Sequence, residues 1–227
     1  MATSESKLWY LENVNLLKDM SKDVKHEVHE KTVMRTVNKG QFIYFPEEQS
    51  TNIYFLKKGR VMIGTYSDDG RELIKAYLQP GEMFGEMSLT GEGKRSDFAK
   101  AADNDTLICA MPLHEMQHLA QKDSSLNIRL TKFLGLRMKK LERGYESLLF
   151  KDSRTRIIDF LKEMAEESGE KVGLETRIKL NLTHSDIAKL TATSRQTVTT
   201  VLNDLKKSNL INFDRKKILI RDLRELA

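Results

Sequence analysis

Between Gly40 and Met111 the apolar residues come in short runs rich in β-branched and aromatic side chains: Phe42–Phe45, Ile53–Leu56, Val61–Tyr66, Leu73–Leu78, Phe98–Ala101 and Leu107–Met111. Turn residues separate them at Lys39-Gly40, Lys58-Gly59, Asp68-Asp69-Gly70 and Pro80-Gly81. Short strands at regular spacing predict a small barrel or sandwich. Residues 7–36, ahead of it, read as short helices, with Val14, Leu16, Leu17 and Met20 as the apolar positions. After Pro112 the period becomes helical. Leu134, Met138, Leu141, Tyr145 and Leu148 recur at spacings of four, three, four and three, a seam at the end of a long helix over 124–149. Such a seam serves either a helix resting on its own barrel or a two-helix dimer, and its near-3.5 period favours the dimer.

Residues 150–153 break the pattern and read as a hinge. Arg154–Glu167 is amphipathic again, with Ile157, Ile158, Leu161 and Met164 on one face, whereas 168–176 reads as a loop and 177–182 alternates like a strand. Leu182–Leu190 then begins a helix that Thr183 or Ser185 can cap, because a side-chain oxygen there accepts a free backbone N–H. A short break, Thr191-Ala192-Thr193-Ser194, leads into a second helix from Arg195 to Lys206. Ala188, Val198 and Val201 fall between the two helices, and Arg195, Gln196, Thr199 and Thr200 fall on the exposed face. That arrangement is a helix-turn-helix. Arginine can bond guanine O6 and N7 in a bidentate manner, and glutamine can do the same to adenine N6 and N7. Residues 210–213 and 217–220 read as a hairpin joined through Asp214-Arg215-Lys216, whose basic tip suits phosphate.

Charge agrees with a polyanionic partner. The net charge is +5, and from residue 151 onward 16 Lys and Arg face 12 Asp and Glu, against 22 and 21 in the first 150 residues. The one cysteine, Cys109, rules out an intramolecular disulfide and sits in an apolar run, where a small buried side chain is expected. No apolar run approaches the ~18–20 residues of a membrane span, and the polar start does not resemble a signal peptide, so the expected location is cytoplasmic.

Three stretches carry a family resemblance over nearly the whole length: Tyr54–Val61, Pro80–Leu89 followed by Arg95-Ser96, and Thr193–Val198. The chain resembles the Crp/Fnr family of transcription regulators, that of the cyclic-AMP receptor protein and the fumarate–nitrate reduction regulator. The resemblance implies an α+β chain in three parts. These are an N-terminal cyclic-nucleotide-binding-like β-roll (a double-stranded β-helix or jelly roll) with preceding helices over 1–123, a dimerisation helix over 124–150 and a winged helix-turn-helix over 151–227. It further implies a homodimer on a palindromic double-stranded operator, with RNA polymerase as partner and no catalytic activity. Ser194, Arg195, Gln196, Thr199, Thr200, Lys216 and Lys217 would contact DNA.

In cyclic-nucleotide-binding members of that family a Gly-Glu pair and an Arg-Ser pair hold the ribose-phosphate. Those types recur here as Gly85-Glu86 and Arg95-Ser96, with Met87 beside them. Arg and Ser donate to a phosphate, and Glu accepts from a ribose hydroxyl. A cyclic nucleotide such as cyclic AMP is thus one candidate effector, beside another ligand, or none, with Glu86 and Arg95 paired to each other. Asp97 follows directly where a small residue would suit an anion, and Leu141 and Glu142 replace two hydroxyl residues that face the purine in the cyclic-AMP receptor. The N-terminal cysteine cluster of the redox-sensing branch is absent, so no iron–sulfur cluster is expected.

Two other functions compete. His114-Glu115-Met116-Gln117-His118 fits the zinc-peptidase pattern H-E-x-x-H, although the only later histidine is His184, inside the proposed DNA-binding helix. His26 and His29, at i,i+3, are a weaker metal or haem candidate than a plain surface helix. A cyclic-nucleotide-binding module acting on a protein partner without DNA is the second competitor, and Arg195, Gln196 and the basic hairpin argue against it.

Overall fold

The computed structural model describes residues 22–179, 182–214 and 217–226. The chain divides into two compact units, Met1–Arg137 and Met138–Ala227. In the first, helix α1 (Lys22–Lys31) is followed by strands β1 (Val33–Val37), β2 (Phe42–Tyr44), β3 (Asn52–Lys58), β4 (Val61–Tyr66), β5 (Glu72–Leu78) and β6 (Met83–Phe84). A short 3-10 helix over Glu86–Thr90 leads to β7 (Phe98–Ala101), β8 (Thr106–Pro112), α2 (Leu113–Lys122) and α3 (Ser124–Phe150), whose residues from Met138 onward are counted in the second unit. Two four-stranded sheets form, ordered β1-β8-β3-β6 and β2-β7-β4-β5, every pairing antiparallel.

Strand period decides how the core is shared. On β3, Ile53 and Phe55 join Cys109 and Met111 of β8 in a cluster with Val28, Met116, Leu119, Leu126 and Leu130 of the helices. The alternate residues Tyr54, Leu56, Ile108 and Ala110 meet Val61, Ile63, Ala99 and Ala101 of the other sheet. The first sheet is therefore covered on both faces, one by helices and one by its partner sheet. Two covered faces explain why β3 and β8 read as nearly continuous apolar runs rather than alternating ones. Cys109 is fully buried on the helix side, as a small core residue.

The second unit carries α4 (Ser153–Ser168), β9 (Glu170–Val172), β10 (Glu175–Lys179), α5 (His184–Leu190), α6 (Arg195–Lys207), β11 (Ile211–Phe213) and β12 (Lys217–Ile220). Its sheet runs β11-β12-β10-β9, antiparallel throughout. Ile157, Ile158 and Leu161 of α4 pack with Ile187, Ala188, Val198, Val201, Leu202 and Leu205 of the next two helices and with Ile178, Ile218 and Ile220 of the sheet. Each buried Ile, Leu and Val side chain among them contributes about 1.5–3 kcal/mol relative to exposure.

Several sequence expectations need correction. Residues 33–37 form a strand, not a helix, because Val33–Val37 pairs along β8 from Ala110 to Thr106. The segment 168–176 is not all loop. Glu170–Val172 is an edge strand on β10, and Glu170 reaches Arg177 and Lys179 at 2.5 Å each, which holds its carboxyl at about 2, well below the usual range. The strand expected over 177–182 starts at Glu175, and Leu182 lies outside it. The helices expected within residues 7–21 lie outside the described residues.

Candidate functional site

Gly85 and Arg95 meet. Arg95 is buried and donates from Nη1 to the Gly85 carbonyl at 3.0 Å and from Nη2 to the Asn52 carbonyl of β3. Its guanidinium lies over the Tyr44 ring, 4.5 Å from the centroid, and its buried Nε has no hydrogen-bond partner. Gly85 has φ 74°, and a Cβ there would sit 3.1 Å from both Arg95 Nη1 and Tyr54 Cδ2. Glycine meets both demands. The stretches Pro80–Leu89 and Arg95-Ser96 are thus joined through main chain, not through a Glu86–Arg95 ion pair.

Glu86 faces a different cation. Its Oε1 lies 3.4 Å from Nε of Arg137 on α3, and Arg137 also donates to the Met83 carbonyl at 3.2 Å. The Ser96 amide donates to Glu92 Oε1 at 3.0 Å, while the residue itself is exposed. Asp97 pairs with Lys75 at 3.6 Å and lies against Tyr44, whose hydroxyl is held well above its ordinary pKa by burial first and by Asp97 next. Met87 is exposed. Arg137, Glu92, Asn52 and Tyr44 were not singled out from sequence. Arg137 precedes Leu141 of the seam by four residues, the one signal that could have placed it on this site.

The second unit builds its exposed face from caps and a turn. Thr183 Oγ1 accepts from the Asp186 amide at 3.2 Å while Asp186 Oδ2 accepts from the Thr183 amide at 2.8 Å, a reciprocal capping box on α5. Ser194 Oγ accepts from the Thr197 amide at 3.0 Å and caps α6. Between them Ala192 takes φ 49°. The left-handed turn forms there despite its Cβ. Arg195, Gln196 and Thr200 are exposed, and Thr199 is half-buried. Thr199 Oγ1 donates to the Arg195 carbonyl at 2.9 Å, so its single proton is committed and the 2.9 Å contact to His184 Nδ1 needs the ring nitrogen as donor. At the hairpin tip Lys217 pairs with Asp214 at 3.3 Å, and Lys216 lies outside the described residues.

The comparisons with known proteins match both units. Residues 34–123 match a cyclic nucleotide-binding domain and residues 155–227 a Crp-like helix-turn-helix domain. The chain is 30% identical over 185 residues to a global nitrogen regulator of Synechococcus elongatus, covering 80% of this chain and 82% of the relative. The chain belongs to the Crp/Fnr family of transcription regulators. It is also 30% identical over 174 residues to the cAMP-activated global transcriptional regulator CRP of Haemophilus influenzae, covering 76% and 77% of the two chains. A mutant of CooA from Carboxydothermus hydrogenoformans superposes with a TM-score of 0.77 at 26% identity, covering 94% of this chain and 93% of that one. This Crp-like regulator thus pairs a cyclic nucleotide-binding domain with a DNA-binding helix-turn-helix, which favours DNA binding over the module acting on a protein alone. In the H-E-x-x-H segment Glu115 bonds Lys31 at 3.0 Å, and among the described residues no cluster of His, Cys, Asp and Glu can hold a metal ion. No helix of the described residues is long and apolar enough to cross a membrane.

Proposed function

We propose that this regulator acts as a parallel homodimer that reads a two-fold symmetric operator through α6 and answers to a small effector in its roll. The observation that carries the reading is the end of α6. Ser194 caps it, and directly beyond the cap the Arg195 and Gln196 side chains are exposed. Arg195 is assigned to a guanine, and Gln196 to an adenine or to several bases. Thr200 is too short to reach as an arginine does, and with Thr199 it offers methyl groups to thymine. Lys216 and Lys217 on the hairpin, and Ser194, are assigned to phosphate. RNA polymerase is the partner that transcription control implies.

Dimerisation rests on α3. Met138, Leu141, Tyr145 and Leu148 are each more than half exposed at seam spacing, an apolar stripe that one chain leaves uncovered. Leu134, at the head of the seam, is half-buried. A two-fold axis along this stripe lets two copies of α6 meet the two halves of a palindrome.

Effector control is assigned to the Gly85–Ser96 region, and a cyclic nucleotide is the first ligand to test, since the Haemophilus influenzae relative is named as cAMP-activated. The Ser96 amide becomes available to its phosphate only when Glu92 releases it, whereas the Ser96 hydroxyl is a separate donor. Selection from random-sequence DNA tests the central reading: a two-fold symmetric motif supports it, and recovery of no motif contradicts it.

A further inference from the structure

Arg156, on the first turns of α4, spends its guanidinium on two segments far apart in the chain. Nε donates to the Thr191 carbonyl at 2.9 Å and Nη2 to the Ala192 carbonyl at 2.9 Å. Nη1 donates to the Lys151 carbonyl at 2.7 Å, and Nη2 also reaches Ser153 Oγ at 3.3 Å. Lys151 lies between α3 and α4, whereas Thr191 and Ala192 form the turn between α5 and α6.

The geometry at Ala192 gives the contact its meaning. The Thr191 and Ala192 carbonyls belong to the two peptide planes that flank the Ala192 Cα. One rigid, planar guanidinium bonded to both restricts φ and ψ of that residue together. Ala192 needs such restraint, because its φ of 49° is left-handed, a region that disfavours any residue with a Cβ. A lysine supplies a point charge in place of the fork and cannot reproduce this. Ser194 and Arg195 follow two and three residues beyond the pinned turn.

We propose that Arg156 is a positioning residue for base recognition: it pins the left-handed Ala192 turn and ties it to the junction after α3, and so sets the angle at which Arg195 is presented. The proposal rests on α6 being the recognition helix. Its consequence is that losing Arg156 costs sequence specificity in folded protein, and that a glycine at the turn makes the clamp partly dispensable.

The test uses the full chain as wild type, Arg156→Met, Arg156→Lys, Ala192→Gly and the Arg156→Met/Ala192→Gly double variant. Melting temperature defines the folded range, within which affinities for the selected operator and for random-sequence DNA are compared. Arg156→Met and Arg156→Lys should each weaken operator binding by about tenfold or more, the scale of lost charge-assisted hydrogen bonds, and leave random-sequence binding within about twofold. Adding Ala192→Gly should restore most of the operator affinity. If Arg156→Met does not fold, Arg156→Lys alone and with Ala192→Gly carries the comparison. Equal losses on both DNAs, or no recovery with glycine, overturns the clamp. Arg195→Ala is measured in parallel. Should it leave base preference intact, the recognition-helix reading fails; should it relax that preference while the Arg156 variants do not, only the clamp is wrong.

Discussion

Glu86 pairs across 3.4 Å with Arg137 of α3, and Arg95 is left to the carbonyls of Gly85 and Asn52. Two of the residues expected to hold a ribose-phosphate, Glu86 and Arg95, are thus each engaged by the protein itself. Glu92 accepts from the Ser96 amide and so sets a carboxylate beside a residue proposed to bind phosphate. Neutralising that group should favour an anionic ligand. Cyclic AMP or cyclic GMP at millimolar concentration should raise the melting temperature of Glu92→Gln more than that of wild type, by mass action. No rise in either protein points to a ligand other than a nucleotide, or to none.

Arg95 is also a structural pin. Arg95→Ala removes a donor from two carbonyls and a cation from the face of Tyr44, and should cost about 2–4 kcal/mol in urea unfolding. A cost below about 0.5 kcal/mol, the level of an ordinary surface change, would show that the pin contributes nothing.

The seam on α3 should govern assembly. Met138→Glu or Leu141→Glu places charge in the stripe and should shift sedimentation toward monomer while weakening operator binding. A monomeric variant with full operator affinity would separate DNA reading from dimerisation and sink the two-fold arrangement.

His184 gives the second unit a pH dependence. Burial first, and the positive charge of Arg195 next, hold its imidazole below the usual 6.5. The unfolded chain therefore takes up a proton at higher pH than the folded one. Stability should be unaffected above about pH 6.5, fall as pH drops below it, and level off below the folded value. His184→Gln keeps an amide donor for Thr199 and cannot titrate, so the wild-type loss between pH 7 and pH 5 should shrink in the variant. Identical profiles would mean that His184 is not the group responsible.

Legibility in the sequence followed the length of each signal. The strands over 42–45, 53–56, 61–66, 73–78, 98–101 and 107–111, the α3 seam and the helix-turn-helix each span enough residues to show a period or a cap. Met83–Phe84 and Glu170–Val172 are too short for that and exist through pairing with β3 and β10. Val33–Val37 was masked by the helix just before it. Contacts of long sequence separation left almost no trace. Arg156 on Thr191 is 35 residues distant and Arg137 on Met83 is 54, and neither arginine stands out among the many on helical surfaces.

Base reading by Arg195 is the central claim, and selection from random-sequence DNA with wild type and Arg195→Ala side by side tests it most directly. Wild type should enrich a two-fold symmetric motif with one required G·C pair per half-site. Arg195→Ala should lose about 1–3 kcal/mol per half-site and relax preference at that position alone, whereas removing Lys217 should weaken all sequences alike. If Arg195→Ala enriches the same motif with the same stringency, Arg195 does not read bases and α6 is not the recognition helix.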